Sequence, residues 1–154
     1  MKKYIIGVFI GAGAVIVLFL GASVVWQRND PVKVSDENRN NQQAGVVLDL
    51  SNQGITTVTA SIHNKTDTTD LLLSNNSIKT LPSEMGRMNK LVVFKIDHNL
   101  LEGSLIGEIR QMSQLKQLDA SYNKMTGVPA EIGQLTKLEV LNLSYNQITA
   151  FPNE

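Results

Sequence analysis

The chain has no cysteine and no net charge, and each absence removes a class of function. Without cysteine it can form no disulfide and can offer no thiolate ligand to zinc. Its 14 basic and 14 acidic residues cancel, so it has no basic field that attracts nucleic acid, and we expect no nucleic-acid partner. Histidine is scarce as well: His63 and His98 are the only two, and the aspartates follow no calcium-loop spacing. We therefore expect neither a metal site nor a cofactor.

A long stretch near the N-terminus also lacks charge. Residues 4–26 contain no Asp, Glu, Lys or Arg. As a helix at about 1.5 Å per residue they would span roughly 34 Å, enough to cross the hydrocarbon core of a bilayer. Tyr4 and Trp26 lie at its ends, where amphipathic rings favour the interface, and two lysines precede it on the side that stays cytoplasmic. The pattern predicts a cytoplasmic N-terminus over 1–3, a transmembrane signal-anchor helix over 4–26, and a single-pass protein of the cell membrane whose remaining residues are extracytoplasmic.

A cleaved signal peptide is the alternative interpretation of this stretch. Gly21-Ala22-Ser23 supplies small residues of the kind found at cleavage sites. The apolar region nevertheless continues past them to Trp26, and it is longer than the usual apolar region of about 7–15 residues. These features favour an uncleaved anchor.

Residues 27–44 are polar and have few side chains suited to a core. Val32, Val34 and Ala44 are the aliphatic residues of this segment. So little apolar surface cannot offset the entropy lost on ordering the backbone. The segment is therefore predicted to be a flexible linker.

From residue 45 to residue 154 one short pattern recurs: an apolar residue, any residue, an apolar residue, two further residues, then Asn. Gln53 takes the Asn position in the first copy, and successive copies are 23, 23, 24 and 23 residues apart. A period this constant marks a solenoid, in which each unit buries its apolar face against its neighbours. The alternation predicts one short strand per repeat and hence a parallel sheet. Because an amide offers both donors and an acceptor, we predict that a structural ladder bridges the turns of successive repeats: Asn76, Asn99, Asn123 and Asn146.

The second half of each repeat has a pattern of its own. Leu81-Pro82 and Val128-Pro129 are each followed two residues later by Glu, and apolar residues then recur at three- and four-residue spacing. Pro and Glu both suit the first turn of a helix. The predicted fold class is therefore α/β. It is a solenoid of about five repeats over 45–154, with a short parallel β-sheet on the concave side and helical or 3₁₀ turns on the convex side, preceded by one transmembrane helix.

These motifs resemble the leucine-rich repeat family, specifically its bacterial 23-residue type, whose convex segment reads Leu-Pro-x-Glu-Ile-Gly. The third unit, residues 99–112, is similar instead to the 24-residue type of plant receptor ectodomains, but it has Ile106 where Pro is usual and Arg110 where Gly is usual. The resemblance covers residues 45–154. It implies a scaffold that binds proteins or peptides.

One set of residues raises the possibility of an enzyme. Asp97, His98 and Ser121 lie in adjacent repeats, and Ser, His and Asp form a known nucleophilic constellation. Because Asp97 and His98 are consecutive in a predicted extended strand, we expect their side chains to diverge. No strained elbow or glycine-rich oxyanion site accompanies Ser121. We therefore predict no catalytic activity.

The residues between the strand leucines are predicted to point onto the concave surface. Five strands at about 4.8 Å cover only some 24 Å, so this patch of a few hundred Å² falls short of the roughly 800 Å² that each partner buries in a stable interface. The face alone would bind weakly, although its aromatic residues are of the kind that interfaces enrich. The candidate binding face consists of Leu72, Val93, Lys95, Asp97, His98, Asp119, Tyr122, Val140, Asn142 and Tyr145.

The C-terminal repeat is as apolar as an interior one, with Leu138, Leu141 and Leu143 followed by Ile148 and Phe151. Such a repeat is predicted to leave an open strand edge that can pair with another chain. Two function classes follow. The first is a membrane-anchored, surface-exposed module that recognises a protein, peptide or glycan. The second is a structural or assembly protein that forms homo-oligomers through this uncapped repeat.

Overall fold

The computed structural model describes residues 45–149 in full and, nearer the N-terminus, the backbone of residues 5–9 and 15–19. Each repeat contributes one strand to a parallel sheet, and neighbouring repeats pair in sequence order. The predicted parallel sheet is confirmed. Its strands are β3 (Val46–Asp49), β4 (Thr68–Leu72), β5 (Val93–Lys95), β7 (Gln117–Asp119) and β9 (Val140–Asn142).

The core lies directly behind these strands. Register places Phe94 between Leu71 and Leu118 of the neighbouring repeats, and all three side chains are 0% exposed. Because successive side chains of a strand point to opposite faces, the residues between these core positions reach the other, concave side. The alternation in the sequence thus separates the core from the candidate binding face.

Short 3₁₀ helices form the convex side of the described repeats, as the sequence predicts. The extended residues Pro82 and Pro129 precede two of them, with φ of −72° and −71°. Gly86 lies in one of these helices, and a methyl group there would lie 2.6 Å from the carbonyl oxygen of Glu108 in the next repeat. The convex side is therefore tightly packed between repeats. The helices are Ala60–Asn64, Ser83–Arg87, Gly107–Gln111 and Ala130–Gln134.

A second, small parallel sheet lies beside the third and fourth repeats. Strand β6 (Glu102–Gly103) pairs with β8 (Lys124–Met125). The sequence does not predict this sheet, because two-residue strands are too short to show an alternating pattern. Gly103 has a φ of 69°, which glycine adopts without the steric cost of a Cβ. The 24-residue spacing that begins at Asn99 is the local signal that this unit differs.

The N-terminal segment differs from the helix predicted over 4–26. Strands β1 (Ile5–Phe9) and β2 (Val15–Phe19) pair in antiparallel fashion, and β1 extends the main sheet by pairing in parallel with β9. Both strands are rich in Val, Ile and Phe, which favour strands. Among the described residues, no helix has the length and apolar character needed to cross a membrane. The rest of 4–26, the predicted cytoplasmic terminus 1–3 and the predicted linker 27–44 lie outside the described residues.

The two ends of the repeat sheet are covered to different extents. The open edge expected at the last repeat is occupied by β1, because an edge strand offers unpaired backbone groups that β1 satisfies. Leu141 and Leu143 there are 3% and 1% exposed. At the other end, Val46 and Val47 are 51% and 52% exposed. The exposed apolar end of the described repeats is thus the first one, not the last.

Candidate functional site

The candidate binding face is built from adjacent strands whose register brings its residues together. Asn142 lies opposite Asp119, Asp119 opposite Lys95, and Lys95 opposite Leu72. In the preceding row, Val93 and Val140 both lie opposite Gln117. All of these residues are half-buried, so their side chains contact neighbouring repeats and solvent at once.

In each repeat, the residue just before the recurring Asn (Gln53 in the first repeat) does not have the extended backbone of a strand. These five residues form a column and have φ between 52° and 58°, in the left-handed region. Asn and His are enriched in this conformation, whereas Tyr is disfavoured there because of its bulk. The alternating pattern predicts ordinary strand residues at these positions, and the Asn in the first two copies is the one signal of a positive φ. The column consists of Asn52, Asn75, His98, Tyr122 and Tyr145.

Three aromatic side chains of this column stack on one another, and we call them the aromatic ladder: His98, Tyr122 and Tyr145. The rings of His98 and Tyr122 have centroids 4.3 Å apart, and those of Tyr122 and Tyr145 are 4.1 Å apart, with interplanar angles of 15° and 13°. Both tyrosines are 43% exposed. A side-chain hydrogen bond to Tyr145 raises the pKa of Tyr122, and burial and the charge of Tyr145 act in the same direction.

Asp97 anchors a polar group at the start of the aromatic ladder. It accepts a hydrogen bond of 2.5 Å from the Ser74 hydroxyl, and its other carboxylate oxygen lies 2.9 Å from the Nδ1 nitrogen of His98. The expected divergence of Asp97 and His98 is therefore wrong, because His98 is not extended but has a φ of 52°. The Ser121 hydroxyl donates to Asp119 at 2.6 Å. That hydroxyl is thus held by a carboxylate and not by the imidazole that a nucleophilic serine needs.

Asp119 anchors a second polar group one repeat further along. Its Oδ1 accepts from both the backbone N–H and the hydroxyl of Ser121, and its Oδ2 accepts from the Asn142 amide at 3.1 Å. Asn142 in turn accepts from the Ser144 hydroxyl at 2.7 Å. These bonds fix the carboxylates and amides of the concave face in defined positions. Within residues 45–149, no three acidic or imidazole side chains converge on a metal-sized site.

The Asn ladder lies one residue beyond the aromatic ladder and points inward. Asn99 donates from Nδ2 to the carbonyls of Leu73 and Ile96, and its Oδ1 accepts from the Ile78 N–H at 3.0 Å. Each of these Asn side chains thus bonds its own turn and the preceding repeat. Asn99 and Asn123 are only 5% and 7% exposed. Asn76 and Asn146 make the corresponding bonds but are half-buried.

Several known proteins share this repeat. Residues 113–153 match the family model described as leucine-rich repeats in two copies. The chain is 37% identical over 59 residues to an adenylate cyclase of Neurospora crassa, which covers 38% of this chain and 3% of that enzyme. Among solved structures it is similar to a leucine-rich repeat protein of Leptospira interrogans, with a TM-score of 0.59 and 34% identity over 61% of this chain and 24% of that one. It is also similar to the plant peptide hormone receptor RGFR1 in complex with RGF2, with a TM-score of 0.56 and 32% identity over 59% of this chain and 15% of that one.

These similarities concern the repeats and not the whole of the related proteins. The chain spans well under two thirds of the length of each of these relatives. The match to the adenylate cyclase is confined to 3% of that enzyme, so it concerns the repeats and carries no cyclase chemistry to this chain. The shared feature is a repeat scaffold of the kind that binds other molecules.

Proposed function

We propose that this leucine-rich repeat solenoid is a membrane-anchored module that is displayed at the cell surface and binds a protein or peptide through its concave face. The observation that carries the proposal is the aromatic ladder. Tyr122 and Tyr145 are 43% exposed on left-handed backbone, a conformation that costs a bulky residue stability and that clusters at functional sites. Exposed tyrosines are also the residues that interfaces enrich. RGFR1, a relative by structure, is in complex with RGF2, which supports a role in protein–protein recognition.

The size of the face favours an extended ligand over a globular one. Five strands spaced about 4.8 Å apart give a patch of a few hundred Å², well below the roughly 800 Å² that each partner buries in a stable complex of two folded domains. An extended peptide can bury most of its own surface in such an area. A surface glycan is the alternative ligand, and it is an outcome of the experiment below.

Site-specific photocrosslinking tests the face directly. A photoreactive phenylalanine analogue placed at Tyr122 should give discrete adducts in the membranes of the native cell. The matched control carries the same analogue at Gln111, which is exposed on a convex 3₁₀ helix. Adducts whose added mass is removed by glycosidase would identify a glycan ligand. Equal labelling from both positions would show that the concave face has no special role.

The membrane anchor is the second part of the proposal. Residues 4–26 support it by their length and lack of charge, and the two preceding lysines favour an extracytoplasmic repeat domain. In water, β1 satisfies its backbone by pairing with β9; in hydrocarbon an open strand edge is not viable, so we propose that the segment becomes helical in the bilayer. A bacterial source, which the 23-residue period indicates, would place the repeats on a bacterial surface.

Protease accessibility tests this orientation. Protease added to intact cells or spheroplasts should remove the repeat domain while a fragment containing residues 4–26 stays with the membrane. Complete protection of the repeats until the cells are lysed would reverse the orientation. Release of the whole chain from membranes by alkaline carbonate would exclude the anchor.

Self-assembly is the second candidate function. It requires that the backbone edge of β9, which β1 occupies, becomes available to another chain. If residues 5–9 enter the bilayer, they leave the backbone of β9 unpaired, and the edge of another copy can take their place. Because the chain has no cysteine, a single Asn142→Cys substitution provides a clean probe of this edge. Disulfide-linked dimers in lipid nanodiscs from this variant, but not from Gln111→Cys, would support assembly. Equal and low cross-linking from both variants would contradict it.

A further inference from the structure

We propose that the concave face binds an extended polypeptide segment rich in Lys or Arg. The inference rests on the proposed function, because it names the chemistry of the ligand at that same face. Its first support is charge. The strand side of the described repeats presents several carboxylates, which belong to Asp49, Asp70, Asp97 and Asp119, and a single ammonium group, that of Lys95.

The remaining surface of the described repeats has the opposite balance. Lys116 and Glu139, beside the strands, pair with each other at 3.7 Å and contribute no net charge. Elsewhere the acidic residues are Asp67, Glu84, Glu102, Glu108 and Glu131, and they are outnumbered by Lys65, Lys79, Arg87, Lys90, Arg110, Lys124 and Lys137. A nearly neutral domain thus concentrates negative charge on one face. Such complementarity steers a cationic partner to that face and disfavours an acidic one.

The carboxylates are held in place before any ligand arrives. The backbone N–H of Ser51, and then its hydroxyl, lower the pKa of Asp49, which keeps that group ionised. Serine hydroxyls likewise donate to Asp97 and Asp119. A carboxylate has about four acceptor positions, so these groups retain capacity for a cation. Fixed, ionised acceptors of this kind lose little entropy when an ammonium or guanidinium group binds.

The aromatic ladder adds an apolar wall beside the carboxylates. Tyr122 lies between His98 and Tyr145, so both faces of its ring are covered and it offers no cation–π contact. The tyrosine is nevertheless 43% exposed. Long methylene stems of Lys and Arg pack against such a surface while their charged ends reach a carboxylate. The wall therefore contacts the stems of long side chains, and the carboxylates beside it select those that carry positive charge.

The spacing of the repeats fits an extended chain. Equivalent positions on neighbouring strands are about 4.8 Å apart, and alternate residues of an extended peptide are roughly 6.7 Å apart on the same side. Flexible Lys and Arg stems can bridge that difference to reach carboxylates in successive repeats. Basic residues at alternate positions are therefore the expected pattern in the ligand.

Fluorescence anisotropy with defined peptides tests the inference. The probe is an amidated peptide of four Lys-Thr pairs, and its matched controls are four Gln-Thr and four Glu-Thr pairs, each added to the full-length chain in nanodiscs of neutral lipid. We expect the Lys peptide to bind at least tenfold more tightly than either control at low salt. Its affinity should fall severalfold between about 0.01 M and 0.15 M salt, as the Debye length shortens from roughly 30 Å to 8 Å.

Charge variants separate the concave face from general electrostatics. Lys95→Gln removes the one cation of that face and should tighten binding of the Lys peptide about threefold, whereas Lys124→Gln, in β8 of the small second sheet, should not. This gain cannot arise from unfolding. Conversely, Asp49→Asn combined with Asp97→Asn should weaken binding at least tenfold, while Glu102→Gln combined with Glu108→Gln leaves it unchanged.

Three outcomes would overturn the inference, and they differ in what else they overturn. The first is equal affinity for the Lys and Gln peptides, together with an unbiased peptide selection that yields binders that depend on Tyr122 but are not basic. This result would refute the cationic ligand and leave peptide recognition by the concave face intact. A selection that yields no binder sensitive to Tyr122→Ala would remove both proposals. Loss of Lys-peptide binding in the Glu102→Gln, Glu108→Gln variant as large as in the Asp49→Asn, Asp97→Asn variant would assign the binding to non-specific attraction.

Discussion

Two neighbouring columns of the solenoid, one residue apart in every repeat, follow opposite rules. The Asn ladder has the same residue in four successive repeats, and its central members are buried and bonded to backbone groups of two repeats. The column just before it changes from Asn to His to Tyr, is exposed, and has left-handed backbone throughout. The fold dictates the side chain in the first column and only the backbone conformation in the second.

This difference separates positions whose side chain the fold requires from positions whose side chain the fold leaves open, without reference to any ligand. A buried turn needs donors and an acceptor in fixed places, and Asn provides them. The neighbouring turn position needs a residue that tolerates a positive φ, and Asn meets that need in the first two repeats. Tyr122 and Tyr145 meet it less well. Their presence therefore calls for a compensating role, either the ring stack itself or a bound partner.

The largest effect is expected in the Asn ladder. Asn99→Ala removes one acceptor and two backbone-directed donor bonds from a side chain that is 5% exposed, and it should destabilise the chain by about 1–3 kcal/mol. Urea unfolding measures this loss. The matched control in the other column is His98→Asn, which keeps a residue suited to positive φ and should stay within about 0.5 kcal/mol of the parent. Similar losses in both variants would abolish the distinction between the columns.

A Gly86→Ala substitution tests whether the convex side is as tightly constrained as the Asn ladder, and we expect a comparable loss of stability. Gly86→Ala places a methyl group 2.6 Å from the Glu108 carbonyl oxygen, so neighbouring repeats must separate, at a cost of about 1–3 kcal/mol. Gly127→Ala is the control, because a Cβ there meets nothing within 4 Å. The difference in thermal midpoint between the two variants is the measurement. A Gly86→Ala protein as stable as Gly127→Ala would mean that the convex helices tolerate movement.

The contribution of each Asn ladder residue to stability should also decrease toward the C-terminal end of the ladder. Asn146 makes the same kinds of bonds as Asn123 but is half-buried, so water can replace part of what it loses. We expect Asn146→Ala to cost about 1 kcal/mol, less than Asn123→Ala in the same urea experiment. Because stability in a solenoid comes from neighbour contacts, an interior position should matter more. Equal costs would indicate that burial does not set the value of these bonds.

The aromatic ladder should respond in the reverse way, with a small change in stability and a large one in binding. Tyr122→Asn loses two stacking contacts, each worth about 0.5–1.5 kcal/mol, but gains a residue better suited to a φ of 53°. We expect a net change in unfolding free energy of under about 1 kcal/mol. Peptide binding at the concave face should fall at least tenfold. Large destabilisation with unchanged binding would make the ladder a structural element only.

The sequence predicts those parts of the fold that recur, and it fails where a feature occurs once or depends on backbone conformation. The repeat of Leu and Asn at a constant period predicts the parallel sheet, and the Pro–Glu pattern predicts the convex turns. The sequence does not predict the contact between Asp97 and His98, because that contact depends on the left-handed φ of His98, which a strand pattern does not encode. The β6–β8 pair is too short for periodicity to reveal. The ten described residues of β1 and β2 have an apolar composition that suits either a membrane helix or a strand, so their environment decides.

The smallest effect concerns the titration of the aromatic ladder. A hydrogen bond to Tyr145 raises the pKa of Tyr122, so Tyr145→Phe, which removes the acceptor, should bring that pKa back toward its ordinary value. Because the folded pKa of Tyr122 lies above the unfolded one, its contribution to stability is fully present below about pH 10 and is lost as the pH rises through the folded pKa. Tyrosinate absorbance measured in a Tyr4→Phe background isolates the two ladder residues, since the chain has three tyrosines. If Tyr122 has the same pKa with Tyr or Phe at position 145, the two rings stack without the hydrogen bond between their side chains.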